Sequence, residues 1–188
     1  MGAAPAIDFD AELMLRVREG DESCFQALLD RHRNSLVHFL YRMVQDSGAA
    51  EDLAQDVFLK IYRSRTNYEV TARFTTWMFR IATHTALNWL RDEKHNRRQA
   101  SLEPDQQVED RQPSTEARLV QNVRVAEIRD AIRSLPEKQR AAVLMHKYQG
   151  MDYAQIAGAL ECSESAVKSL LFRAYESLRA RLAHLGTR

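Results

Sequence analysis

The chain has 188 residues, with 27 Lys and Arg against 26 Asp and Glu, and a formal net charge of +1. That length suits one large domain or two small ones, and its apolar runs are too short to cross a bilayer. Cys24 and Cys162 make neither a disulfide framework nor a paired-spacing zinc pattern, and no basic-then-apolar leader opens the chain, so a soluble cytoplasmic protein is expected.

Near-neutrality hides an uneven distribution. Acids predominate from Met1 to Lys60. Between Arg80 and Arg98, Arg80, Arg91, Lys94, Arg97 and Arg98 face only Asp92 and Glu93. From Ser163 onward, Lys168, Arg173, Arg179, Arg181 and Arg188 face only Glu164 and Glu176. An acidic front and two basic segments imply different partners for different faces.

Strand patterns are nearly absent and helical periodicity recurs along the chain, which predicts an all-α fold. A first helix is expected from about Asp10 to Glu19, stopped by Gly20. A second starts near Asp21 and carries Phe25, Leu28, Leu29, Leu36, Phe39, Leu40 and Met43 as far as the turn at Asp46-Ser47-Gly48. A third, from about Ala49, sets Leu53, Val57, Phe58 and Ile61 on one face and Glu51, Asp52, Gln55, Asp56 and Lys60 on the other. The polar stretch Ser64 to Arg73 interrupts the pattern. A long helix then runs from about Phe74 to Asn96, with Phe74, Trp77, Met78, Ile81, Ala82 and Trp89 as its apolar stripe.

From Gln99 to Thr115 the periodicity stops. Pro104, Pro113 and four acids against Arg111 cannot bury enough apolar surface to order the segment, so an extended flexible linker is expected. A second helical unit follows. One helix spans about Glu116 to Ser134. The next has Pro136 at its start and runs to about Tyr148 before Gly150. Asp152 and Gln155 have capping-box spacing for a short helix ending near Leu160. Ser163 is an N-cap for a last helix from Glu164 to about Ala183.

Met151 to Leu182 therefore reads as a helix-turn-helix. Val167, Leu171, Ala174, Leu178 and Leu182 should face the core. Ser165, Lys168, Ser169, Phe172 and Arg173 lie on the opposite face near the helix start, the end that enters the major groove in this motif. Lys and Arg reach guanine acceptors or phosphates, Ser bonds to either, and an outward Phe suits a thymine methyl. On the long middle helix, Arg80, His84, Asn88 and Arg91 share the face opposite the core stripe and, with Arg73 and the basic end, form a possible nucleic-acid track. The preceding loop, with Arg65, Asn67, Tyr68 and Arg73, has the aromatic and cationic groups that capture of an unstacked base requires. The plain alternatives are core tryptophans at Trp77 and Trp89, a surface His84 and a solvated charged face. Asp52 and Asp56 are one turn apart, but no His joins them at ligand spacing. A protein-docking face of Asp52, Leu53, Gln55, Asp56, Phe58, Leu59 and Lys60 fits better than a metal site. The six histidines show no ligand pairing, and no nucleophile–base set or glycine-rich phosphate loop appears, so neither an enzyme nor a cofactor or metal is expected. A stand-alone helix-turn-helix repressor or activator remains the rival.

Four runs in order resemble a known family. Ala50-Glu51-Asp52-Leu53-Ala54-Gln55-Asp56-Val57-Phe58-Leu59-Lys60-Ile61-Tyr62 is similar to the polymerase-binding helix of the extracytoplasmic-function (ECF) subgroup of sigma-70 factors. Phe74-Thr75-Thr76-Trp77-Met78-Phe79-Arg80-Ile81-Ala82, continuing to Thr85-Ala86-Leu87-Asn88, resembles their promoter-melting and −10-reading helix. Leu135-Pro136-Glu137-Lys138-Gln139-Arg140 with Gly150-Met151-Asp152-Tyr153-Ala154-Gln155-Ile156-Ala157 resembles the start of their −35-reading domain. Ser163-Glu164-Ser165-Ala166-Val167-Lys168-Ser169 resembles its recognition-helix opening.

The resemblance implies a domain-2-like helical bundle over 8–98, an acidic flexible linker over 99–115 and a domain-4-like helix-turn-helix over 116–185. It implies docking of Asp52, Leu53, Gln55, Asp56, Phe58, Leu59 and Lys60 on the clamp helices of the largest subunit of core RNA polymerase, with the flap of the second-largest subunit as a further contact. Arg65, Asn67, Tyr68, Arg73, Trp77, Arg80, His84, Asn88 and Arg91 would engage the −10 element. Ser165, Lys168, Ser169, Phe172 and Arg173 would engage the −35 duplex. An anti-sigma factor is a further implied partner, and the linker would thread toward the polymerase cleft. A division of labour is expected: the free chain binds promoter DNA poorly because its two readers are flexibly linked, and polymerase fixes their separation so that both bind as one unit. The family often has Arg where this chain has Leu170, a basic residue where it has Tyr175, and Asn where it has His84, which bears on promoter preference.

Overall fold

The computed structural model describes residues 8–99 and 116–186. Helices α1 (Phe9–Arg18), α2 (Glu22–Val44), α3 (Ser47–Arg63) and α4 (Phe74–Gln99) build a first bundle, with a 3₁₀ turn at Arg65–Asn67. Helices α5 (Glu116–Arg133), α6 (Glu137–Tyr148), α7 (Tyr153–Leu160) and α8 (Glu164–Leu182) build a second. No strand occurs among the described residues. The flexible linker expected over 99–115 lies, from residue 100 on, outside them.

Carboxylates and one hydroxyl set the helix starts. Asp8, Asp21 and Asp46 cap α1, α2 and α3 by accepting backbone N–H groups. The hydrogen bonds that Asp21 accepts from the Ser23 and Cys24 side chains hold its carboxyl down at about 2. Asp152 and Gln155 form the reciprocal capping box of α7, at 2.8 and 2.9 Å. Gln45 and Glu161 end α2 and α7 in the left-handed region, where the chain turns tightly into the next helix.

The first core is formed by Met14, Leu28, Leu36, Phe39, Leu40, Met43, Ile61, Phe74 and Met78, all fully buried. Phe39 meets Phe79 edge to face at 5.1 Å. Trp77, Ile81 and Trp89, expected in the apolar stripe of α4, are only partly buried against this core, and Phe79 and Ala86 take the central places. In the second bundle Leu144, Met145, Ile156, Val167, Leu171 and Ala174 are buried together between α6, α7 and α8.

The two bundles do not stand apart. α7 lies along α4, and α6 packs on α2. Arg140, 8% exposed, inserts its guanidinium between them and donates to the carbonyls of Met43, Arg133 and Leu135. Burial lowers its pKa, against the raising effect of Glu137. Ser35 Oγ donates to Gln149 Oε1 at 2.8 Å, and Lys94 pairs with Glu137. The seam uses polar groups 43 to 114 residues apart, a separation that local periodicity does not register.

Candidate nucleic-acid interface

Two faces emerge. The first is the start of α8. Ser163 Oγ accepts from the Ala166 N–H at 3.1 Å, which fixes the point where the helix leaves the turn. Val167, Leu171 and Ala174 anchor the inner face. Ser165, Lys168, Ser169, Phe172 and Arg173 are all exposed, and Phe172 is 68% exposed. Lys168, Ser169, Phe172 and Arg173 line one shallow cleft. Ser169 Oγ donates to the Ser165 carbonyl, and Arg173 Nε donates to that of Ser169, so the guanidinium is held along the helix with its outer donors outward. Leu170 and Tyr175 are partly buried, and the Tyr175 hydroxyl lies 2.9 Å from His146 Nδ1. Both turn toward their own bundle, which explains why a basic residue is absent there without emptying the outer face. Burial pushes the Tyr175 phenol up.

The second face is α4 with the loop before it. Arg18 Nη1 donates to the Tyr68 carbonyl at 3.1 Å and ties the loop to α1. Arg65 stacks 4.1 Å over the Tyr62 ring and donates to the Tyr62 carbonyl, so it braces the loop. Asn67 and Arg73 are exposed. Tyr68 is not an open platform: it is 3% exposed, 4.9 Å from the Trp77 ring, and its hydroxyl has no partner. Burial, with Asp8 and Asp10 nearby, pushes its phenol up to about 12. Within an irregular loop no period indicates which way a side chain points, so the burial of Tyr68 could not be read from the sequence. Tyr68, Glu69, Thr71, Ala72, Thr76, Trp77 and Arg80 surround a cleft of about 180 Å³. Further along α4, His84 is exposed, and Asn88 Oδ1 accepts from Arg91 Nη2 at 3.2 Å.

The α3 face is split. Asp52, Gln55 and Leu59 are exposed, Leu59 by 51%. Asp56 and Lys60 pair at 2.7 Å, and Lys60 Nζ also donates to Thr85 Oγ1 at 3.0 Å. Leu53 and Phe58, expected in the docking face, are 9% and 6% exposed. They point inward with Val57 and Ile61 because helical spacing aligns these positions with the core.

Three groups escaped the sequence reading. Gly158 of α7 forms one wall of the α4 cleft. Glu161, in the turn of the helix-turn-helix, lies 3.1 Å from His84 Nε2 and 3.8 Å from Arg80 Nη1. Arg140 stitches the seam. No local pattern identifies any of them, since each matters through residues far away in the chain. Among the described residues no three His, Cys, Asp or Glu side chains gather as metal ligands, and no helix is long and apolar enough to cross a membrane.

A family model described as Sigma-70 region 2 matches residues 28–96, and one described as Sigma-70, region 4 matches residues 126–178. The RNA polymerase sigma-H factor of Pseudomonas aeruginosa is 31% identical over 177 residues, covering 90% of this chain and 91% of that protein. The ECF RNA polymerase sigma-E factor of Escherichia coli is 31% identical over 178 residues, covering 90% and 92%. Among solved structures, that of the sigma factor RpoE of Bartonella quintana in complex with the anti-sigma factor NepR superposes with a TM-score of 0.69 at 20% identity, over 87% of this chain and 98% of that one; it supports the fold.

Proposed function

Because the chain belongs to the ECF subgroup of the sigma-70 family, we propose a division of labour among its faces. As a sigma factor it binds core RNA polymerase and promoter DNA, directs promoter-specific transcription initiation and catalyses no reaction itself. The exposed start of α8 reads the −35 duplex through Ser165, Lys168, Ser169, Phe172 and Arg173. Lys168 and Arg173 supply phosphate or guanine contacts, and Phe172 supplies an apolar contact to a thymine methyl. The α4 face and its loop engage the −10 region once it is unpaired. The cleft beside Trp77 receives a flipped base, while Asn67, Arg73, Arg80, His84, Asn88 and Arg91 hold the strand around it. Tyr68 lines the cleft, and Arg65 braces the loop behind it.

Asp52, Gln55, Asp56, Leu59 and Lys60 form the surface that docks on the clamp helices of the largest polymerase subunit, with Leu53 and Phe58 as its buried support. The second bundle contacts the flap of the second-largest subunit. Domain boundaries fall at 8–98, 99–115 and 116–185. An anti-sigma factor regulates the chain, as the description of the RpoE structure indicates for that protein, and the work is done in the cytoplasm.

The observation that carries this reading is Phe172. Phe172 is 68% exposed at the start of a capped helix and lines one cleft with Lys168, Ser169 and Arg173, the combination of apolar, hydroxyl and cationic groups that reads base edges and phosphates. Run-off transcription with purified core polymerase and a promoter library tests the proposal. Defined start sites that shift or vanish with Phe172→Ala support it. Unchanged start sites with Phe172→Ala and Lys168→Ala contradict the −35 role.

A further inference from the structure

Thr76, Thr83 and Thr85 of α4 are all buried, at 5%, 1% and 5% exposed, yet they differ in what they bond to. The hydroxyls of Thr76 and Thr83 have no hydrogen-bond partner. Thr85 Oγ1 accepts from Lys60 Nζ of α3 at 3.0 Å, across 25 positions of sequence. The same ammonium lies 2.7 Å from Asp56 Oδ2, one turn earlier on α3. A threonine within a helix has a carbonyl of its own preceding turn in reach. Here a charged donor from another helix also reaches the hydroxyl. Lysine loses much rotamer freedom when it is held, and this one is held from both sides.

The bond falls where packing alone does little to fix α4. Large buried side chains, Phe74, Met78 and Phe79, key the first half of the helix into the core. Beyond Ile81 the buried positions are Ala82, Thr83, Thr85 and Ala86, and the larger side chains are only partly buried. Ala82, Thr85 and Ala86 share one face by helical spacing, and methyl groups offer little to interlock with a neighbouring helix. A small rotation of α4 over such a smooth surface changes little apolar area, but it breaks the bond to Thr85. His84 directly precedes Thr85, and Asn88 follows it by three residues; both are exposed. Contacts that read a base must be held to within about 0.5 Å and 10–20°.

We propose that Thr85 is a positioning residue for −10 reading: its buried hydroxyl, held by the Lys60 ammonium, fixes the rotation of the second half of α4 and with it the reach of His84 and Asn88. The inference rests on the assignment of α4 to the −10 region. Thr85 is closed off from solvent and makes no contact with DNA itself. Asp56 completes the arrangement by holding Lys60 from the α3 side.

The full chain assembled with core polymerase supplies the test. The probe is a promoter selected from the library with the parent chain, carrying 2-aminopurine in its −10 region. Thr85→Val keeps the side-chain shape and removes the acceptor. It should lower the opening signal and run-off at least about fivefold, while affinity for core polymerase and for the −35 duplex stays within about twofold. Thr85→Ser brings the hydroxyl back and should recover opening to within about twofold of the parent. In a Lys60→Met background Thr85→Val should cost nothing further, because the hydroxyl acts through the ammonium. Full opening by Thr85→Val, failure of Thr85→Ser to recover it, or losses that add in the double variant overturn the proposal. Asn88→Ala separates the two claims. If it lowers opening while Thr85→Val does not, the positioning role fails but the −10 assignment stands. If Asn88→Ala leaves opening untouched, the −10 assignment fails and the proposal falls with it.

Discussion

The two helices proposed to read DNA, α8 and α4, differ in what lies over them. The start of α8 projects into solvent, its inner face anchored by Val167, Leu171 and Ala174, and nothing of the described chain covers Phe172. α4 is more deeply embedded. Its inner face builds the first core, and its outer face lies against α7. The contrast shows that a helix-turn-helix is legible and available as a local unit, whereas the function of α4 depends on where the other bundle sits.

Arg140→Ala breaks the comparison hardest. Three carbonyls, two of them in buried bonds and one across the seam, lose their donor, so unfolding free energy should fall by about 3 kcal/mol. Denaturant titration checks this, and the two bundles are expected to unfold less cooperatively than in the parent. Phe172→Ala leaves stability within about 0.5 kcal/mol because the ring is exposed. In competition gel shifts with the holoenzyme it should cost about tenfold in preference at one −35 position. Ser163→Ala removes the cap of α8 and should cost about 1 kcal/mol in thermal or denaturant unfolding. Lys168→Ala is the mildest: affinity for −35 duplex should fall uniformly across sequences, and the log–log salt slope should flatten by about 0.9. An unchanged slope removes Lys168 from the phosphate contacts.

What could be read from the sequence divides along the same line. The capping box at Asp152 and Gln155, the Ser163 cap and the inward set Val167, Leu171 and Ala174 are all local signals within a few residues, and each appears where spacing puts it. Helical spacing already set Leu53 and Phe58 on the apolar face of α3, and both are buried there, so the docking run divides into exposed and buried members. The burial of Tyr68 was not legible, because a ten-residue loop has no period. Glu161 opposite His84, and Gly158 opposite Thr76, join residues 77 and 82 positions apart, and nothing in either segment announces the other. The departures at Leu170 and Tyr175 gained their explanation only from packing: both serve their own bundle.

The central claim is that two readers on one chain act together only when polymerase holds them. A footprint on a promoter duplex carrying both elements, with the purified chain alone and then with core polymerase, tests it most directly. The account predicts no defined protection by the chain alone, and joint protection of both elements with core present, with the −10 bases unpaired. Equal protection of both elements without polymerase would contradict it.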